Sequence, residues 1–179
     1  MSLTIVPYLV ATPLLQQVFG SANRRIINDL RETLAEDGKW DDDSVVQAVE
    51  DVVNGAPLNT QDADAYAAVL EILCMYFGVQ LPHDAFESMR SPALQLLKQF
   101  EGLYNDLQLP LPIPESANFP TVYYINKQQA VKNLARLDPT LSGIEDNEGK
   151  RWAASALQQY RLWLQEAVDK KKDLYIFMY

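Results

Sequence analysis

One cysteine, Cys74, and one histidine, His83, are all this 179-residue chain has of the two side chains that most often hold metals or serve nucleophiles. A lone cysteine excludes an internal disulfide framework and every multi-cysteine zinc pattern, and it fits a reducing, cytoplasmic setting. A lone histidine means that any Ser-His-Asp or Cys-His site must use His83. That residue sits in the turn-like LPHDAF, and no G-x-S-x-G occurs anywhere, so a capping or exposed loop histidine is the plainer reading. Glycine is sparse and scattered, with no G-x-G-x-x-G and no G-x-x-x-x-G-K to cradle a phosphate. Positive charge is also short: 15 Lys and Arg stand against 24 Asp and Glu, a formal net charge of −9. Such a surface repels phosphate backbones, and no arginine-rich stripe interrupts it, so nucleic acid is not expected as a partner. No apolar run approaches the ~20 residues of a membrane span, and the N-terminal MSLTIVPYLV lacks the basic flank and cleavage site of a signal peptide. Neither a membrane nor a cofactor or metal is expected.

What is present is enough apolar sequence, 48%, to build one core, and residues 1–179 are expected to form a single domain. LTIVPYLV, Leu3 to Val10, reads as a strand, and Pro7, which cannot donate to a ladder, places it at a sheet edge. Thr12 followed by Pro13 reads as an N-cap opening a short helix that stops at Gly20. Ser21 caps the next helix, with Ile26, Ile27, Leu30 and Leu34 on one face. Asp43 or Ser44 caps a valine-rich helix ended by Asn54-Gly55. The helix from Asp62, DADAYAAVLEILCMYFG, is apolar almost all round and ends at Gly78. A further helix opens at Ser91-Pro92 and carries Leu94, Leu97, Phe100, Tyr104 and Leu107 on one stripe.

LPLPIPESANFP follows, with prolines at 110, 112 and 114. Two-residue spacing leaves an extended chain without donors along one side and groups Leu109, Leu111 and Ile113 on one face, whereas polyproline recognition uses PxxP. The segment therefore reads as a strap across the core. TVYYI, Thr121 to Ile125, is a second strand, and Asn126 caps the helix KQQAVKNLARL. The longest helix runs from about Glu145 to Lys172 with Trp152, Ala156, Tyr160, Trp163 and Ala167 on its apolar stripe. The chain ends in DLYIFMY, an unbroken apolar run typical of a strand buried on both faces. The sum is an α+β fold, mostly helical, with a small sheet of about three strands that includes both terminal segments.

Glu71, inside AAVLEILCMYF, has two readings. It aligns with Asp64 seven residues earlier, which favours a thin wet stripe. The other reading is a buried carboxylate lining a pocket with Tyr8, His83 and Tyr124. The block EDGKWDDD, with Asp41, Asp42 and Asp43, is either helix-end electrostatics or a docking patch for a protein partner; it lacks the glycine and the closing glutamate of a calcium loop.

VPYLV, FGSA, YAAVLEILC, PLPIP running into NFPTVYYI, and a Trp-bearing helix before a terminal strand come in an order that resembles a family of uncharacterised bacterial proteins of about this length, a domain of unknown function. The helix-then-LYIFMY ending is more distantly similar to YfbM-like proteins. These resemblances imply a shared fold over nearly the whole chain and carry no catalytic residues. Two functions stay open: an acidic cytoplasmic binding or interaction protein that neutralises or scaffolds another protein, and a metal-independent small-molecule binder or enzyme using a cleft with Glu71, His83 and tyrosines.

Overall fold

The apolar run that ends the chain lies in the middle of the sheet. The computed structural model describes residues 4–37, 42–86, 109–115, 120–145 and 151–179. Among these, four antiparallel strands take the order β2-β1-β4-β3, with β1 at Ile5–Val10, β2 at Val79–Gln80, β3 at Thr121–Ile125 and β4 at Asp173–Met178. β4 is bonded on both sides, to β1 from Ile5↔Met178 to Val10↔Asp173 and to β3 from Thr121↔Met178 to Ile125↔Leu174. A strand with neighbours on both edges and helices on both faces has no wet side, which is why Leu174 to Phe177 show no polar alternation.

The edge position expected for β1 is corrected by β2, which pairs with it at Tyr8↔Gln80 and Leu9↔Val79. Pro7 is compatible with this arrangement for a geometric reason. Thr4 and Tyr179 exchange both backbone bonds, so every second residue of β1 directs its N–H and C=O toward β4 and Pro7 directs its own the other way. There its carbonyl accepts from Leu81 N–H at 2.9 Å, and only the reciprocal donor is missing. β2 is two residues long and stops there.

One face of the sheet is covered by α1 (Thr12–Gln16), α2 (Arg24–Asp37), α3 (Asp43–Asn54) and α4 (Ala63–Phe77). Val6, Tyr8, Val10, Tyr175 and Phe177 point into this first core, together with Leu111 and Ile113 of the proline segment, which is thus a strap as expected. The other face is covered by α5 (Lys127–Glu145) and α6 (Arg151–Lys170). There Leu9, Leu174 and Ile176 meet Leu157, Leu164, Ala167 and Trp163, whose indole lies 4.7 Å from the Phe86 ring and donates to Pro82 O at 2.7 Å. Ala156, Tyr160, Trp163 and Ala167 of the expected stripe are buried. Two helix faces and one sheet thus share a single α+β fold.

Helix boundaries follow capping chemistry, with corrections. Asn23, not Ser21, accepts from the Arg25 N–H at the start of α2. Asp42, one residue before the expected Asp43 or Ser44, accepts from the Ser44 N–H and caps α3. Asn126 caps α5 through Gln129 N–H as expected, and α5 continues well beyond the KQQAVKNLARL segment. The helix expected from Ser91, like Asp41, lies outside the described residues.

Candidate functional site

Two arrangements on the first face bring polar groups together. At the start of the first, Ala11 occupies the N-cap of α1 without a side-chain bond, so Thr12 is not the cap its Thr-Pro signature suggested. Thr12 is 5% exposed at the β1–α1 junction, and its hydroxyl turns across to β4. Oγ1 donates to Asp173 Oδ2 at 2.5 Å and lies 2.9 Å from the Tyr175 hydroxyl, within hydrogen-bond distance. The other Asp173 oxygen accepts the Lys127 N–H at 3.1 Å. One carboxylate therefore ties the first helix layer to the N-terminus of α5 in the second, where negative charge is favoured. Tyr124 packs on Tyr175 with ring centroids 5.1 Å apart. Burial pushes the Tyr175 hydroxyl far above the ordinary phenol value, outweighing the Thr12 bond that lowers it, and burial raises Tyr124 in the same direction.

Deeper along the same face, Tyr8 of β1 donates to Glu71 Oε1 of α4 at 3.2 Å, and each residue is only 2% exposed. The wet-stripe reading of Glu71 is therefore corrected. α4 runs through the first core and is buried from Ala65 to Cys74, so its periodicity carries no information about a solvent side. Cys74, one turn on, is a free and buried thiol, raised by burial and by the Glu71 carboxylate. Tyr8 also meets Phe177 edge-on at 5.7 Å.

Of the four residues expected to line a pocket, Tyr8, Glu71 and Tyr124 thus share the first face. His83 does not join them. It follows β2 with Nδ1 3.2 Å from Leu81 O, between Leu81 and Phe86, both of which belong to the second core. Of the three that share a face, Tyr8 and Glu71 are buried, together with Cys74 and Tyr175, while Tyr124 on β3 is half-buried. Buried phenols and a bonded threonine hold the two helix layers together.

The second arrangement is open, and local sequence patterns did not reveal it. α3 ends in a left-handed Gly55, whose successor Ala56 donates to Asp51 O at 2.9 Å. The loop after α1 crosses this end at Gly20, also left-handed, with Gly20 N–H donating to Val52 O at 2.9 Å and Ala22 N–H to Val53 O at 2.8 Å. The close approach requires glycine at 55, where a Cβ would stand 2.9 Å from the Gly20 Cα, while at Gly20 it is the left-handed backbone that favours glycine. Beside it opens a groove of about 610 Å³, floored by Val52 and Gly55 and bounded by Phe19, Pro57 and Leu58. Its far wall is the strap, Pro112 to Pro114, anchored by Gln16 Nε2 donating to Pro110 O at 3.0 Å. Asp51 lines one end and accepts from Tyr66 OH at 2.9 Å and from Gln47 Nε2 at 2.9 Å. The Tyr66 phenol is raised, first by burial and then by this carboxylate.

The acidic block is partly committed to local structure. Asp42 is the α3 cap, and its bonds to the Ser44 backbone and side chain hold its carboxyl below the ordinary aspartate range. Asp43 is exposed in the first turn of α3. Among the described residues, no helix is long and apolar enough to cross a membrane.

Over residues 1–179 the sequence matches the family described as a domain of unknown function, DUF7691, and the chain belongs to that family. Comparisons with curated proteins and with solved structures gave no match.

Proposed function

We propose that this member of the DUF7691 family is a cytoplasmic binding protein that holds a segment of another protein in the groove between the proline strap and the end of α3. The observation that carries the reading is a preformed concavity with rigid walls: a glycine crossing locked by two backbone hydrogen bonds, and a strap whose Leu111 and Ile113 are buried in the core. Its volume of about 610 Å³ falls within the size range of ligand clefts, and its lining is mainly apolar. Preorganised walls reduce the ordering entropy that binding must overcome. The net charge of −9, with Asp41 to Asp43 in its densest block, steers a complementary partner from a distance and does not form the seat itself.

The cleft reading built on Glu71, His83 and tyrosines has less support, because Tyr8 and Glu71 are buried and His83 lies apart. A photo-crosslinking amino acid at Leu58, in the groove, tests the proposal against one at Leu162, which is 59% exposed on α6. In the native host the Leu58 probe is expected to capture a discrete protein adduct and the Leu162 probe none. Capture from Leu162 alone, or from neither, contradicts the proposal.

A further inference from the structure

The groove has an uneven supply of hydrogen-bonding groups. Three of its lining residues, Pro57, Pro112 and Pro114, bring a carbonyl and no N–H. The N–H groups of Gly20, Gly55 and Ala56 already donate to carbonyls of α3, and those of Asp51 and Val52 lie inside the α3 ladder. Side chains add one carboxylate, Asp51, and one hydroxyl, Thr60. At the Asp51 end, where Asp51, Val52, Gly55, Ala56 and Pro57 meet, the surface is therefore rich in acceptors and poor in donors.

Electrostatics point the same way. Asp51 sits in the last turn of α3, where the helix dipole presents its negative end, and α3 has no basic residue in that turn. Among the described residues Asp51 has no ion-pair partner. Tyr66 and Gln47 fill two of the roughly four acceptor positions of its carboxylate. An occupant matched to this groove brings donors, positive charge and an apolar body. Lysine and arginine combine these properties in one side chain, with three or five donors at the end of a hydrocarbon stem.

Resting on the docking role proposed above, we infer that the groove selects a basic, apolar segment of its partner polypeptide, with a Lys or Arg head over Asp51 and its stem and apolar neighbours against Phe19, Leu58 and the strap prolines. The two parts of the recognition are separable. The apolar walls set whether a segment binds, and Asp51 sets its charge.

An unbiased displayed library of short peptides, panned against the full chain, against Asp51→Asn and against the groove-filling Ala56→Trp, tests this. The carboxamide introduced by Asp51→Asn can keep an oxygen for the Tyr66 hydroxyl or for the Gln47 amide, so the site keeps its shape while losing its charge. The expected result is enrichment of peptides with Lys or Arg beside apolar residues, a loss of affinity of about tenfold or more in Asp51→Asn, weakening with salt, and no enrichment on Ala56→Trp. Groove-dependent peptides that are neutral or acidic, and that bind Asp51→Asn undiminished, overturn this inference and leave the docking role standing. Peptides that bind Ala56→Trp as well as the parent overturn both. No enriched peptide, with n-butylamine shifting the Gly20 and Gly55 amide resonances, overturns both as well and replaces the polypeptide by a free amine.

Discussion

The two faces of the sheet are built differently. The α5–α6 face is closed by aliphatic and aromatic packing around Leu164, Trp163 and Phe86, with neutral polar contacts such as Trp163 Nε1 to Pro82 O at 2.7 Å and Asn133 Nδ2 to the Tyr160 hydroxyl at 3.4 Å. The α1–α4 face buries a carboxylate, a thiol and several phenols, crosses two glycine loops and leaves a groove open at its rim. Burying polar groups is unfavourable unless each is bonded, so a fold concerned only with stability would resemble the second face on both sides. On the reading proposed above, the open groove is the part of the first face that recognition shapes.

The largest expected effect removes the contrast altogether. Deleting Leu174 to Tyr179 strips the strand that both faces share, and each large buried side chain contributes ~1.5–3 kcal/mol. The loss exceeds the margin that separates most domains from unfolding, so the truncated chain is expected to be insoluble or to lack a cooperative melt. A sharp transition within a few degrees of the parent would show the strand to be dispensable.

Next in size is the difference between the faces themselves. Glu71→Ala leaves the Tyr8 hydroxyl without this acceptor and opens a cavity, a destabilisation of about 3 kcal/mol or more. Asn133→Ala on the other face is expected to cost about 1 kcal/mol. Paired urea melts read both, and equal losses would remove the distinction.

Alkaline pH probes the same contrast through tyrosine. Tyr66, Tyr124 and Tyr175 of the first face, and Tyr123 of the second, all have phenols raised above the ordinary 10.0, chiefly by burial. The unfolded chain then gives up these protons first. Their contribution is whole below pH 10 and is lost as pH climbs toward the raised folded values. Tyr175→Phe should flatten the alkaline limb of the stability curve more than Tyr123→Phe, as measured by melts from pH 8 to about 12.

The smallest effect lies at Asp42, whose value is lowered by the α3 cap. Its contribution is present above the ordinary value of 3.8 and is lost as pH falls through the lowered one. Asp42→Asn keeps the cap acceptor, so it should leave neutral stability nearly unchanged and slightly flatten the acid limb, as read by melts of the two chains at acid and neutral pH.

The elements that were legible in the sequence are those whose signal is local. The β-branched and aromatic runs of β1, β3 and β4, the Asn54-Gly55 stop and the strap spacing each express a backbone requirement within a few residues. β2 was not legible, because a two-residue strand exists only through the partner that bonds it. Caps shifted by one or two residues where several candidates stood together, as Asp42, Asp43 and Ser44 do.

Glu71 misled because its solvation depends on Tyr8, 63 residues away, and on a helix buried all round. The groove was hidden for the same reason. Its parts were visible as a glycine stop, a loop glycine and a proline segment, but their convergence is a property of the tertiary fold.

The claim that the first face is the recognition face is tested most directly by amide shift mapping. Isotope-labelled protein is titrated with a peptide or partner segment captured through Leu58, and the amide resonances of the two faces are compared. Gly20, Gly55, Leu58 and Ile113 are expected to move together and saturate, while Ala130, Leu157 and Leu164 stay in place. Saturable shifts confined to α5 and α6, with the glycine crossing unmoved, would contradict the account.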